Sequence, residues 1–370
     1  MAAALPAPPD AIDFGTVRRA LVIKLRHHGD VLLASPVLSA LKAHAPHVEV
    51  DALVYADTVD MLSGHPALAR LFTIDRGWKQ LGILARLRAE SALRATLAER
   101  AHDLVIHLTD HRRGQRLVKA LKPRHAVAPQ RRGDNGWAAT FSHLYALPRE
   151  GNRRHTVETH LDALRRIGLF PGETERRLVL VPGAAAEARI DDLLREHGLA
   201  AREFVHLHPA SRWMFKTWPA ERTAQLMDQL AADGHALVLT CAPSDTERAL
   251  VAAIRARTGA PALDLSGQLS LKELAALTAR ARLFVGVDSA PMHIAAAMGT
   301  PTVALFGPSG EIEWGPWQVA HRIVVSTEHP CRPCGQDGCG GSKVSECLTT
   351  LPVARVKQAA DALLAANGSA

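Results

Sequence analysis

In LVIKLRHHGDVLLASPVLSAL, residues 21–41, one apolar run passes through a Gly-Asp pair into another. A carboxylate at that point has two uses. Asp30 can take a proton from a bound hydroxyl as a general base, or it can N-cap the following helix by accepting from free N–H groups. The second half of the chain offers a different chemistry. Ser211 and Lys216, in HPASRWMFKTWP, suit a diphosphate, the one as a hydroxyl donor and the other as a point charge. Asp288 and Ser289, in LFVGVDSAPMHIAAAMG, open a run of small residues where an anion can come close to the N–H groups of a helix start. Gly307 to Gly310 form a second such loop, although ordinary strand-to-helix turns use the same residue types. Asp245 and Glu247 either accept from ribose hydroxyls or cap their helix. No Asp-x-Asp pair is present to hold a catalytic cation.

These groups fall where strands should end. In the first half, residues 20–24, 48–54, 71–74 and 103–108 read as strands, with helical patterns over 31–45 and 81–100. A linker marked by Gly and Pro lies near 168–185, and the pattern then restarts. Strand candidates follow at 204–208, 236–240, 262–265, 283–287 and 302–306, with a helix over 220–232. Alternation of this kind makes mostly parallel sheets, whose ligands sit outside the carboxyl ends of the strands. The expectation is an α/β protein of two Rossmann-like domains facing each other across a cleft. Their spans are 1–175 and 176–350, with a helix in 351–370 that has the length to return to the first domain.

Of the 370 residues 47% are hydrophobic, which suits a globular chain, and no uninterrupted apolar run is long enough for a membrane span. The first residues lack the basic and apolar regions of a secretory signal, so a cytoplasmic location is expected. The formal charge of +7 belongs wholly to residues 1–175, because 176–370 holds 19 basic and 19 acidic residues. Much of it is concentrated in DHRRGQRLVKALKPRHAVAPQRRGDNG, residues 110–136, which fits an anionic partner. A basic module for nucleic acid or lipid is therefore a competing class. With 4% aromatic residues and two Tyr, the stacking platforms of single-strand binders are missing, and nucleic acid is not an expected partner. Cys331, Cys334, Cys339 and Cys347 are spaced C-x2-C-x4-C-x7-C. Four thiolates can hold structural zinc, but the paired knuckles of a zinc ribbon are absent, so reduced thiols and no metal site are expected.

The ordered set KLRHHGDVLLASPVLSALK, HPASRWMFKTWP, SLKELAALTARARLFVGVDSAPMHIAAAMGTPTVALFGPSG and WGPW resembles glycosyltransferase family 9, the ADP-heptose:lipopolysaccharide heptosyltransferases. The loop around Lys216 and the tail HPCRPCGQDGCGGSKVSECL look most like its heptosyltransferase III branch. The resemblance implies a GT-B fold and an inverting transfer without metal or other cofactor. Heptose would pass from ADP-L-glycero-D-manno-heptose to the phosphorylated lipopolysaccharide inner core, at the inner face of the cytoplasmic membrane. By the same resemblance Asp30 matches the proposed catalytic base, Ser211 and Lys216 match donor phosphate contacts, and Asp288 matches the residue that holds heptose hydroxyls. Ser289, Ala290 and His293 complete that donor motif, with Asp245, Glu247 and Gly307 as further donor candidates. Lys24, Arg26 and His28 around Asp30, with Arg112 and Arg113 from the basic stretch, are the candidate acceptor contacts. A different nucleotide sugar or glycan acceptor on the same fold is the nearest alternative.

Overall fold

A computed structural model describes residues 8–366. The chain forms two compact units, residues 1–149 with 156–180 and residues 150–155 with 181–370. The division thus falls at 180/181 rather than 175/176, and a short segment near 150 joins the second unit.

In the first unit Arg19–Ile23 (β1), Glu49–Tyr55 (β2), Leu68–Ile74 (β3), Leu104–His107 (β4), His125–Pro129 (β5) and His143–Tyr145 (β6) make one sheet in the order β3-β2-β1-β4-β5-β6. Every neighbouring pair is parallel. β1 and β2 are buried along nearly their whole length, because helices cover both faces of a parallel sheet. One core cluster packs Leu21, Ile23, Val105 and Ala126 against Leu97, Leu117, Trp137 and Phe141. β5 and β6 escaped the sequence reading: HAVAP carries His and Pro, and HLY is too short to show a period.

The second unit repeats the plan with Phe204–His208 (β7), Ala236–Leu239 (β8), Leu263–Asp264 (β9), Leu283–Val287 (β10), Thr302–Phe306 (β11) and His321–Val325 (β12), ordered β12-β11-β10-β7-β8-β9. β12 was not foreseen; it is an edge strand, and its half-exposed pattern hides it. The last helix, Val353–Ala366, packs on β10, β11, β12 and the helix Ala220–Ala232, so it belongs to the second unit and not to the first. In each sheet the strand order reverses at one place, between β1 and β4 and between β7 and β10, and such a reversal opens the crevice that ligands use.

Candidate active site

β1 runs directly into the first of these crevices. His27 holds the N-cap position of the helix His28–Leu32, and Asp30 sits inside its first turn. The carboxylate is therefore not the helix cap that one reading of the sequence allowed. Its side chain is 18% exposed and faces Lys24 Nζ at 3.7 Å and Arg26 Nε at 3.9 Å. Both distances exceed hydrogen-bonding range, so the cations attract the carboxylate without saturating it.

Lys24 is itself buried. Its ammonium donates to His160 Nε2 at 2.8 Å and to the Leu108 carbonyl oxygen at 3.4 Å. An imidazole that accepts at Nε2 carries its proton on Nδ1, and there His160 lies 2.9 Å from the Leu33 carbonyl oxygen. One ammonium thus joins the ends of β1 and β4 to the helix Thr156–Arg165. Burial brings the Lys24 pKa down to about 8, with the Asp30 carboxylate pulling the other way.

The other expected acceptor contacts divide. Arg26 is half exposed beside Asp30. His28 Nε2 lies 2.7 Å from the Asp57 carbonyl oxygen. Arg76, stacked 3.8 Å above the Tyr55 ring, donates to the Arg26 carbonyl oxygen at 2.7 Å and to the Asp57 carboxylate at 3.0 Å. These side chains hold the loop after β1 against the loop after β2. Arg113 lines a cavity of about 290 Å³ with Lys79, Arg86, Arg94 and Arg116 around the single acid Glu90. Arg112 does not line it; that side chain is largely exposed, 3.5 Å from Asp134. His160, Arg76 and the cavity were missed in the sequence. Arg86, Glu90, Leu93 and Arg94 recur at helical spacing, a readable signal for the cavity. Nothing pointed to His160, which is 136 residues from Lys24.

In the second unit β7 and β10 bring Lys216 and Asp288 together at the strand-order reversal. Lys216 ends the short turn Met214–Lys216, and its Nζ lies 2.5 Å from Asp288 Oδ2 and 5.1 Å above the Trp213 ring. Ser211 is buried and accepts from the Trp213 N–H at 3.3 Å. Ser289 is the N-cap residue of the helix Ala290–Ala297, yet its hydroxyl donates back to the Val287 carbonyl oxygen at 3.3 Å. Ser289 makes no side-chain cap bond, Pro291 has no N–H, and the Met292 N–H is bonded to the Ser289 carbonyl oxygen at 3.1 Å, so the Ala290 N–H leads this helix start. His293 lies buried one turn further on.

A model of glycosyltransferase family 9 (heptosyltransferase) matches residues 91–344. The chain belongs to glycosyltransferase family 9. This family 9 enzyme is 35% identical to lipopolysaccharide heptosyltransferase 3 of Escherichia coli (strain K12) over 299 residues, 79% of this chain and 83% of that one. It superposes on the glycosyl transferase family 9 from Veillonella parvula DSM 2008 with a TM-score of 0.82 at 21% identity, over 96% and 99% of the two chains. Escherichia coli heptosyltransferase WaaC with ADP gives 0.72 at 21% identity, over 93% and 99%. At those identities the structural likeness shows the fold, which is the GT-B fold that the sequence resemblance implied.

In this glycosyltransferase the cysteine-bearing tail braces the Lys216 loop. Ser345 Oγ donates to the Phe215 carbonyl oxygen at 2.6 Å, and Trp218 Nε1 to the Leu351 carbonyl oxygen at 3.1 Å. Gly307 serves the same tail. A Cβ there would come within 2.5 Å of Leu348 Cδ1, and the Gly307 carbonyl oxygen accepts from Arg332 Nε at 2.7 Å. Glu247 also turns inward, its carboxylate accepting from the Ala242 N–H at 3.0 Å and its own N–H bonded to the N-cap Ser244, while Asp245 stays exposed. Ser244 is thus the cap, and the Glu247 carboxylate braces the loop that precedes it. All five cysteines are free thiols, Cys241 and Cys347 buried and the other three exposed. Among the described residues no group of three or more His, Cys, Asp or Glu is placed to hold a metal ion.

Proposed function

We propose that this family 9 enzyme transfers heptose from ADP-heptose to a phosphorylated lipopolysaccharide core, with inversion, while held peripherally at the inner face of the cytoplasmic membrane. The observation that carries the donor half is the Lys216–Asp288 pair beside the uncapped helix start at Ala290. A diphosphate arriving there meets the positive end of the helix, led by the Ala290 N–H, and an ammonium that it can draw from Asp288. Asp288 is then free to accept from hydroxyls of the sugar. On the acceptor side Asp30 takes the proton of the attacking hydroxyl. That oxygen bonds to the anomeric carbon as the bond to the diphosphate breaks, and ADP leaves with its charge met by Lys216 and the helix start at Ala290. A single displacement of this kind inverts the anomeric carbon. The likeness to lipopolysaccharide heptosyltransferase 3 supports this substrate pair, and the cationic cavity at Arg113 suits an acceptor that carries phosphate.

The test is a panel of nucleotide sugars with truncated core acceptors, read by mass and by the anomeric configuration of the product. ADP-heptose should yield a singly heptosylated acceptor of inverted configuration. Transfer from another nucleotide sugar alone would move the enzyme to a different donor. Lys216→Ala should weaken ADP binding by about tenfold or more, since a charge-assisted contact is lost. Unchanged ADP affinity would remove Lys216 from the site.

A further inference from the structure

The helix Ile83–Glu99 begins with a face that the protein itself leaves uncovered. Leu81 is 44% exposed, Ile83 79%, Leu84 73% and Leu87 53%, half of the large hydrophobic side chains exposed among the described residues. At about 100° per residue, Ile83, Leu84 and Leu87 share one stripe of the helix. Further along the helix, Leu97 joins the core of the first unit and Leu93 packs against it. The helix is therefore anchored along its second half, while its first two turns stand out with their apolar stripe in water.

Charge frames that stripe. Arg86 and Arg88 flank it on the helix, and Lys79 precedes it. Arg86 continues inward to the 290 Å³ cavity, where Lys79, Arg94, Arg113 and Arg116 also gather. Glu90 is the acid there, and it is already held by Arg113 at 3.2 Å and Arg86 at 3.5 Å. An apolar prow with cations behind and beside it matches an interface whose outer layer is anionic and whose next layer is hydrocarbon. Among the described residues no helix is long and apolar enough to cross a membrane.

We infer that Leu81, Ile83, Leu84 and Leu87 insert into an anionic phospholipid surface, with Lys79, Arg86 and Arg88 at headgroup level. The inference rests on the reading of this unit as the one that meets a membrane-borne acceptor, and it names the surface that does so. Docking through this helix sets the mouth of the cationic cavity at the depth of lipid-linked phosphates.

The test is co-sedimentation of the full chain with vesicles of phosphatidylcholine alone and with a third phosphatidylglycerol, beside transfer assays on a soluble truncated acceptor and on one embedded in vesicles. The wild-type protein should bind the anionic vesicles at least about tenfold more tightly than the neutral ones, and less so in high salt. Ile83→Ser/Leu84→Ser/Leu87→Ser should lose at least about tenfold in vesicle affinity and in rate on the embedded acceptor, with its rate on the soluble acceptor and its melting temperature unchanged. Arg88→Glu should lose less, and mainly at low salt. Equal vesicle binding by the wild type and the triple variant overturns the inference. So does a wild-type self-association, seen by light scattering, that the triple variant abolishes without any change in vesicle binding. Absence of transfer to either acceptor, with vesicle binding and its loss as stated, would instead overturn the proposed reaction and leave the docking surface standing.

Discussion

Two acids of the first unit lie near opposite ends of the same sheet and are treated in opposite ways. Asp51, in β2 near the amino ends of the strands, is fully buried and bonded to Arg100 at 2.8 and 3.1 Å and to His102 at 2.9 Å. Burial alone would raise its pKa, but the His102 and Arg100 contacts outweigh that and hold it below the ordinary carboxylate value. Asp30, beyond the carboxyl end of β1, is part exposed and stands 3.7 and 3.9 Å from its cations. The first acid has its lone pairs taken by the protein, and the second keeps them for something else. A buried acid that holds a sheet together must be saturated, since an unmet charge in the interior is costly. An acid that must accept a proton cannot be.

The sharpest way to break this contrast is to remove Asp51. Asp51→Ala leaves Arg100 with Glu49, 2.8 Å away, as its remaining acid, and should lower stability by about 3 kcal/mol. Turnover of the folded fraction should stay near normal. Denaturant titration beside a steady-state assay decides it, and a loss under about 1 kcal/mol would deny the cluster its structural role. Asp30→Asn is the converse. The amide keeps the size of the side chain but cannot take a proton, so the rate should fall on the order of a hundredfold or more while the melting temperature and ADP affinity hold. Near-normal turnover would place Asp30 with Asp51 among the structural acids.

Lys24 links the two kinds of behaviour by being both buried and close to Asp30. Its pKa is about 8 in the folded chain and about 10.4 when unfolded. Between those values the unfolded chain holds more protons at this site, so stability should rise as the pH climbs from 8 towards 10. Below 8 both states are protonated and the cost of burying the ammonium stands in full. Lys24→Met should flatten that part of the stability profile, and a profile identical to the wild type would show that Lys24 does not titrate there.

Much of the scaffold was legible from local pattern. The runs LFVGV and TVALF are almost wholly apolar, and FVHLH is apolar but for two buried His, because parallel strands are covered on both faces, and each became a central strand. The acid at Asp30 and the small-residue turn at Asp288 were legible because a strand end followed by a helix start is a local event. β6 and β12 were not, since short or edge strands are fixed by their neighbours' hydrogen bonds and not by their own residues. Glu247 and Gly307 illustrate a different limit. Their residue types suited a ligand, but their surroundings turned one towards its own loop and filled the space before the other with Leu348.

By itself, then, the order of residues determined the two repeated α/β units, the family, and the positions at which Asp30, Lys216 and Asp288 leave their strands, because each depends on neighbours a few residues apart. Only the tertiary structure decided how those groups are partnered. Lys216 meets Asp288 across 72 residues and Lys24 meets His160 across 136, because parallel crossovers set distant strand ends side by side. The same packing saturates Asp51 and leaves Asp30 unsaturated. That difference is one of distance and burial, which no spacing along the chain encodes.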